Sequence, residues 1–276
     1  MKTKQIMVLL LLGVFAGFAS AGNEGDYAVM LEIGNTGPTL DDVYMAAGNE
    51  SATPVQNSTV VVYAEFDATD PNGNLDLDTS SAECNLQDGS VIYSGACDKT
   101  VIDDDSATFT CPITLIYYEP AGSYDLYCAI DDMAADGDNK LEYDQFTYNS
   151  LTAISIDLAT LEFTTISVGE SSGSSNDPIV VSNEGNNAIV NVSIASQDLM
   201  NIADDVLNAE NFNASAADEI GTGAVMVEND YVEVPGVSIT VGPSSKDSVY
   251  FTVAIPNAQP GGVYNTDTNW ALLALA

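Results

Sequence analysis

The sequence predicts an all-β chain: two tandem β-sandwich domains following a cleaved export signal. Three observations predict it. Residues 108–115, Thr-Phe-Thr-Cys-Pro-Ile-Thr-Leu, alternate strictly, with Cys111 on the apolar side. Residues 124–131 repeat the pattern: Tyr124, Leu126, Cys128 and Ile130 share one face, opposite Asp125, Tyr127, Ala129 and Asp131. A two-residue period marks a strand buried on one side only. Third, turn residues punctuate the whole chain at short intervals, as in Asp70-Pro71-Asn72-Gly73-Asn74, which is the rhythm of a sandwich.

Taken in order, the chain opens with Lys2 and Lys4, an apolar run from Ile6 to Phe18, and Ala19-Ser20-Ala21. A basic start, a short apolar core and small residues before the cut define a secretory signal, residues 1–21, with cleavage before Gly22. The later sequence holds no run long and apolar enough to span a bilayer, so the mature chain is expected to lack a transmembrane span. Residues 22–149 form the first expected domain. Its strands are Tyr27–Ile33, Asn57–Phe66, those bearing Cys84, Cys111 and Cys128, and Leu141–Tyr148, with Asn35–Asp42 as a turn or linker. Residues 150–276 form the second. Its expected strands are Leu151–Asp157, Leu161–Val168, Pro178–Asn183, Ala188–Ala195, Val232–Val241, Ser248–Ile255 and Asn269–Leu275. Ile202–Asn211 is the one stretch of modest helical period, and Trp270 is the expected anchor of that core. The junction at Tyr148–Leu151 contains neither Gly nor Pro, which predicts a stiff connection.

Composition narrows the function classes. The formal charge is −36; without the two leader lysines, three lysines face 41 acidic residues, a formal −38. Such a surface repels nucleic-acid phosphates and anionic lipids, and it attracts divalent cations. Arginine and histidine are absent from the sequence. This removes the ordinary nucleophile–base pair and the bidentate phosphate clamp, so no enzyme is expected.

Four cysteines in an exported chain predict disulfides. Three pairings are open. Cys97 and Cys111 flank the acidic turn Asp103-Asp104-Asp105, whereas Cys84 and Cys128 sit on apolar strand faces. This favours 97–111 with 84–128.

The sequence also shows a resemblance. Gly122-Ser123-Tyr124 followed by Cys128, Ala129 and Asp131 resembles the G-x-Y…A-x-D strand of Ig-like repeats on microbial surface proteins. Leu161-Glu162-Phe163, Val168-Gly169 and Asn183-Glu184-Gly185-Asn186 resemble the signature of another Ig-like group. The mature chain is similar to secreted archaeal cell-surface proteins built of tandem Ig-like domains. The resemblance implies two such domains and a non-catalytic structural or adhesive role. Leu126, where an antibody-type domain would carry Tyr, departs from the immunoglobulin pattern.

Three further sets of residues carry chemistry. Asp67, Asp70, Asn72, Asn74, Asp76 and Asp78 surround a Pro-Gly turn and offer the oxygen ligands calcium prefers. Calcium is the only cofactor the sequence suggests. The loop is not an EF-hand: with Asp70 first, Leu75 occupies the glycine position and Ser81 the bidentate one. A second acidic run, Asp136–Phe146, misses the first and last EF-hand ligands and reads as a hairpin turn. Asn49, Asn57, Asn191 and Asn213 head N-x-S/T glycosylation sequons. Tyr117, Tyr118, Tyr124 and Tyr127 supply aromatic surface that packs across strands or stacks on sugars. Two roles result: a secreted or cell-surface protein contacting surface proteins or glycans of its own or a neighbouring cell, with self-assembly as one mode; or a carbohydrate- or calcium-binding module.

Overall fold

The computed structural model describes residues 30–31, 33–89, 91–266 and 269–276. The signal segment lies outside them. The chain divides at Gly34, and residues 1–34 and 35–276 are separate units. In the first unit, the expected strand Tyr27–Ile33 lies largely outside the described residues. Its members Met30, Leu31 and Ile33 are exposed and carry no strand.

The second unit is all-β. Its N-terminal half contains β1 (Thr39–Met45), β2 (Ser51–Ala52), β3 (Thr59–Thr69), β4 (Glu83–Gln87), β5 (Val91–Tyr93), β6 (Asp98–Val101), β7 (Ser106–Ile116), β8 (Gly122–Asp131) and β9 (Gly137–Tyr148). They form two sheets, β1-β3-β7-β6 and β2-β9-β8-β4-β5, antiparallel throughout except for β2 beside β9. The alternation read from the sequence is what the sheets bury. Ala107, Phe109, Cys111, Ile113 and Leu115 of β7 are inaccessible, as are Tyr124, Leu126, Cys128 and Ile130 of β8. Phe66 on β3 stacks on Phe109 across the ladder, with centroids 4.8 Å apart. The two sheets share one core, the condition for a sandwich.

Two expectations in this half are corrected. Asn35–Asp42 is not simply a linker, because residues 39–45 form β1 with Leu40, Val43 and Met45 buried. A bulge between Leu40 and Asp42 shifts the register and hides the alternation. The run 136–146 is mostly strand; the hairpin turn lies at 132–136. Gly137 opens β9, where a Cβ would meet the Asp131 carboxylate at 2.1 Å and the Ile130 carbonyl oxygen at 3.1 Å.

Cys84 pairs with Cys128 and Cys97 with Cys111, their Cα atoms 4.1 and 4.2 Å apart. Cys84 and Cys128 are direct ladder partners on β4 and β8. Cys97 immediately precedes β6, whose Asp98 faces Thr110 on β7, so it too lies opposite its partner. Both bridges tie neighbours within a sheet; neither joins the two sheets.

The C-terminal half contains β10 (Ile154–Ile156), β11 (Ser171–Gly173), β12 (Ile179–Asn183), β13 (Asn191–Ala195), β14 (Leu199–Met200), β15 (Val206–Leu207), β16 (Phe212–Ser215), β17 (Ala224–Val225), β18 (Tyr231–Glu233), β19 (Lys246–Ala254) and β20 (Ala271–Leu275). Its sheets are β10-β12-β19-β16-β17 with β11 also on β19, β18-β13-β20, and the pair β14-β15. Val249, Phe251 and Val253 of β19 face a second core.

Here the corrections are larger. Residues 161–168 form no strand, although Leu161, Phe163 and Ile166 still pack against the core. Their neighbours bond irregularly: Ser175 N–H donates to the Glu162 carbonyl and Glu162 N–H to Asn176 Oδ1. Residues 171–173, outside the expected strands, form β11 against β19. Val190 is 55% exposed while Ile189, Val192 and Ile194 are buried, so Val190 does not share the buried face of Val192 and Ile194. The stretch 202–211 yields one 3-10 turn, Ala209–Asn211. Trp270 is half-buried, edge-on to Phe212 at 5.3 Å, with Nε1 donating to the Gln197 carbonyl.

The junction is fastened by 183–187. Leu151 N–H donates to Asn186 Oδ1, and Asn186 Nδ2 to the Asn149 carbonyl. Gly185 is required because a Cβ would lie 2.2 Å from the Leu151 carbonyl oxygen.

Candidate metal centre

The Pro-Gly turn after β3 begins with Asp70. Asp70 Oδ1 accepts the Asn72 N–H at 2.7 Å, and its carbonyl accepts the Gly73 N–H. This is the Asx turn that Asp-Pro-Asn-Gly encodes. The chain then runs antiparallel to the start of the β8–β9 turn. Asp78 N–H donates to the Asp131 carbonyl, Met133 N–H to the Asp76 carbonyl, and Leu77 bridges Asp132.

That pairing gathers three carboxylates. Oxygens of Asp70, Asp76 and Asp132 all lie within 4.8 Å of one another. Asp70 is fully buried, Asp132 nearly so, and Asp76 half-buried. Asp70 Oδ2 has no hydrogen-bond partner. Burial, then the charges of Asp76 and Asp132, push the Asp70 carboxyl above the usual carboxylate range, against the opposing pull of the Asn72 N–H. Asp132 is held below it, first by Asn35 Nδ2 at 2.6 Å, then by the N–H groups of Asp136 and Ala134.

The other residues of the expected ligand set lie elsewhere or are engaged. Asp67 accepts from Thr108 Oγ1, Asn72 Oδ1 from Thr36 N–H, and Asp78 from Ser80. Asn74 Nδ2 donates to the Asp103 carbonyl. Lys99 Nζ donates to the Asn74 carbonyl and lies 6.0 Å from the Phe109 ring centroid. Asp132 escaped the sequence reading because it stands 56 residues beyond Asp76; the Asp131-Asp132 pair closing a predicted strand was the available signal.

Of the four sequon asparagines, Asn57 is exposed in a turn, whereas Asn49, Asn191 and Asn213 are half-buried. Tyr124 is buried, its hydroxyl donating to the Pro120 carbonyl; Tyr117 and Tyr118 meet edge-on and are half-buried. In the C-terminal half an apolar cleft of about 420 Å³ is lined by Phe163, Phe212, Tyr264 and Trp270 among others. Among the described residues, no helix is long and apolar enough to cross a membrane. No protein-family model matches the chain, and comparison with curated proteins gives no match.

Proposed function

We propose that the chain is an exported, non-catalytic structural or adhesive protein. It acts through contacts with surface proteins or glycans of its own or a neighbouring cell. The carrying observation is the placement of the cysteines: two bridged pairs, each directly cross-strand, with Cys84, Cys111 and Cys128 fully buried and Cys97 nearly so. Persistent structural disulfides belong to oxidising compartments. The tandem Ig-like reading adds a surface role, and the lack of His and Arg argues against catalysis. Strand β20, the end strand of its three-stranded sheet, exposes Leu273 and Leu275 and offers an edge for strand addition by a partner or a second copy.

Fractionation of the native source tests this reading. The protein is expected in the envelope or the medium, beginning at Gly22. A cytoplasmic protein retaining residues 1–21 would overturn it. The calcium-binding alternative is favoured by one observation, the unpaired buried oxygen of Asp70. The sugar-binding alternative loses Tyr124, which the core encloses.

A further inference from the structure

We propose that Asp70, Asp76 and Asp132 hold one divalent cation, and that the ion is calcium. The inference is independent of where the protein works. Three features carry it.

Geometry comes first. Two oxygens on opposite sides of one calcium ion lie about 4.8 Å apart, from a calcium–oxygen distance of about 2.4 Å. The three carboxylates bring oxygens within that same limit. Magnesium demands a strict octahedron and keeps several waters, which suits a site with two buried carboxylates less well than calcium. The all-oxygen donor set does not suit softer metals.

The second feature is the Asp70 side chain itself. It is inaccessible to solvent, one oxygen is satisfied by the Asn72 N–H, and Oδ2 has no partner. A buried acceptor left unpaired costs about 1–3 kcal/mol, and more when charged. A carboxylate enclosed beside two others stays ionised only with positive charge against it; without that charge it takes up a proton.

The third feature is that the described residues supply no such charge. Among the described residues the sole ion pair is Lys140–Glu142. Lys99, which reaches the same loop, directs its ammonium to the Asn74 carbonyl. The neutral amide of Asn35 bonds Asp132 and Asp136 but does not pair Asp70 Oδ2. A cation at this point would clamp the loop after β3 to the β8–β9 turn. The remaining coordination positions fall to water or to the second oxygen of the half-buried Asp76.

The test uses the full mature chain with disulfides intact, stripped with chelator and kept in high monovalent salt to screen diffuse attraction to the acidic surface. Calcium chloride is titrated by calorimetry, and thermal melts are recorded with and without it. One saturable site and a raised melting temperature are expected. Asp70→Asn should weaken binding about tenfold or more. Asp218→Asn, which removes the same charge from an exposed loop, should leave binding unchanged. If Asp70→Asn does not fold, Asp76→Asn, at a half-buried position, carries the comparison. Absence of a saturable heat and of a melting shift overturns the site. So does an Asp70→Asn protein that binds as tightly as the parent, or magnesium binding as tightly as calcium. None of these outcomes bears on export, which fractionation tests separately.

Discussion

The two halves of the folded unit reach stability by different routes. The N-terminal half has strands of up to 12 residues, and two disulfides. Its core, among the described residues, comprises 23 buried apolar side chains with only three half-buried ones packed against them. The C-terminal half has mostly strands of two to five residues and no cysteine. Among the described residues it surrounds 16 buried side chains with 14 half-buried ones. Hydrophobic stabilisation follows area removed from water, so the second core gains less per residue and relies on a broad, partly wet margin. Long ladders with inward cysteines make a closed core, whereas short strands around Trp270 leave a cleft.

The largest effect expected from this contrast is covalent. Replacing Cys84 and Cys128 by serine should destabilise the N-terminal half by about 2–5 kcal/mol. Hydrogen exchange should accelerate in β4 and β8 while β12 and β19 hold. Equal acceleration in both halves would mean that they unfold as one unit and would break the contrast.

Truncation of the cores comes next. Phe109→Ala removes a fully buried ring stacked on Phe66 and should cost about 3–5 kcal/mol. Trp270→Ala removes a half-buried ring and should cost roughly half as much. Chemical denaturation read by exchange in each half compares them directly; a larger loss at Trp270 would reverse the ranking of the two cores.

Alkali gives a smaller, signed effect. Burial pushes the hydroxyls of Tyr124 and Tyr148 up from 10.0 to about 12, with nearby acidic groups adding to it. A raised phenol favours the protonated fold. Its contribution is therefore complete below pH 10 and is lost as pH climbs from 10 toward 12. Ultraviolet titration should show the Tyr124 and Tyr148 phenols ionising last, after Tyr44 and Tyr117, which are also raised, and the N-terminal half should weaken in that window. Full ionisation of all tyrosines near pH 10 in folded protein would contradict it.

The smallest effect is proteolytic. The mature chain offers trypsin Lys99, Lys140 and Lys246, all in strands. Lys99 and Lys140 are half-buried and Lys246 is exposed at the start of β19. Slow cleavage is expected, first after Lys246. A first cut after Lys99 would place the weaker point in the disulfide-bonded half.

How much the sequence disclosed follows the same division. β3, β7 and β8 were legible because each alternates without interruption over a buried face. β1 was not, because its bulge at Asp41 places Leu40, Val43 and Met45 out of period. The alternation at 161–168 misled: Leu161 and Phe163 do face the core, but the backbone bonds go to a turn and an Asn side chain rather than a ladder. At the candidate metal centre, Asp70 and Asp76 were legible from their Pro-Gly turn. Asp132 was not, since only the pairing of residues 77–78 with 131–132 brings it there. A local motif shows one side of such a site, and the long-range register supplies the other.

The central claim is that the N-terminal core is held by two sulfur–sulfur links within its sheets. It is tested most directly by alkylating native protein without reduction and mapping its peptides. The account predicts no alkylated cysteine, with Cys84 joined to Cys128 and Cys97 to Cys111. Labelled cysteines in the native material, or Cys84 joined to Cys97, would contradict it.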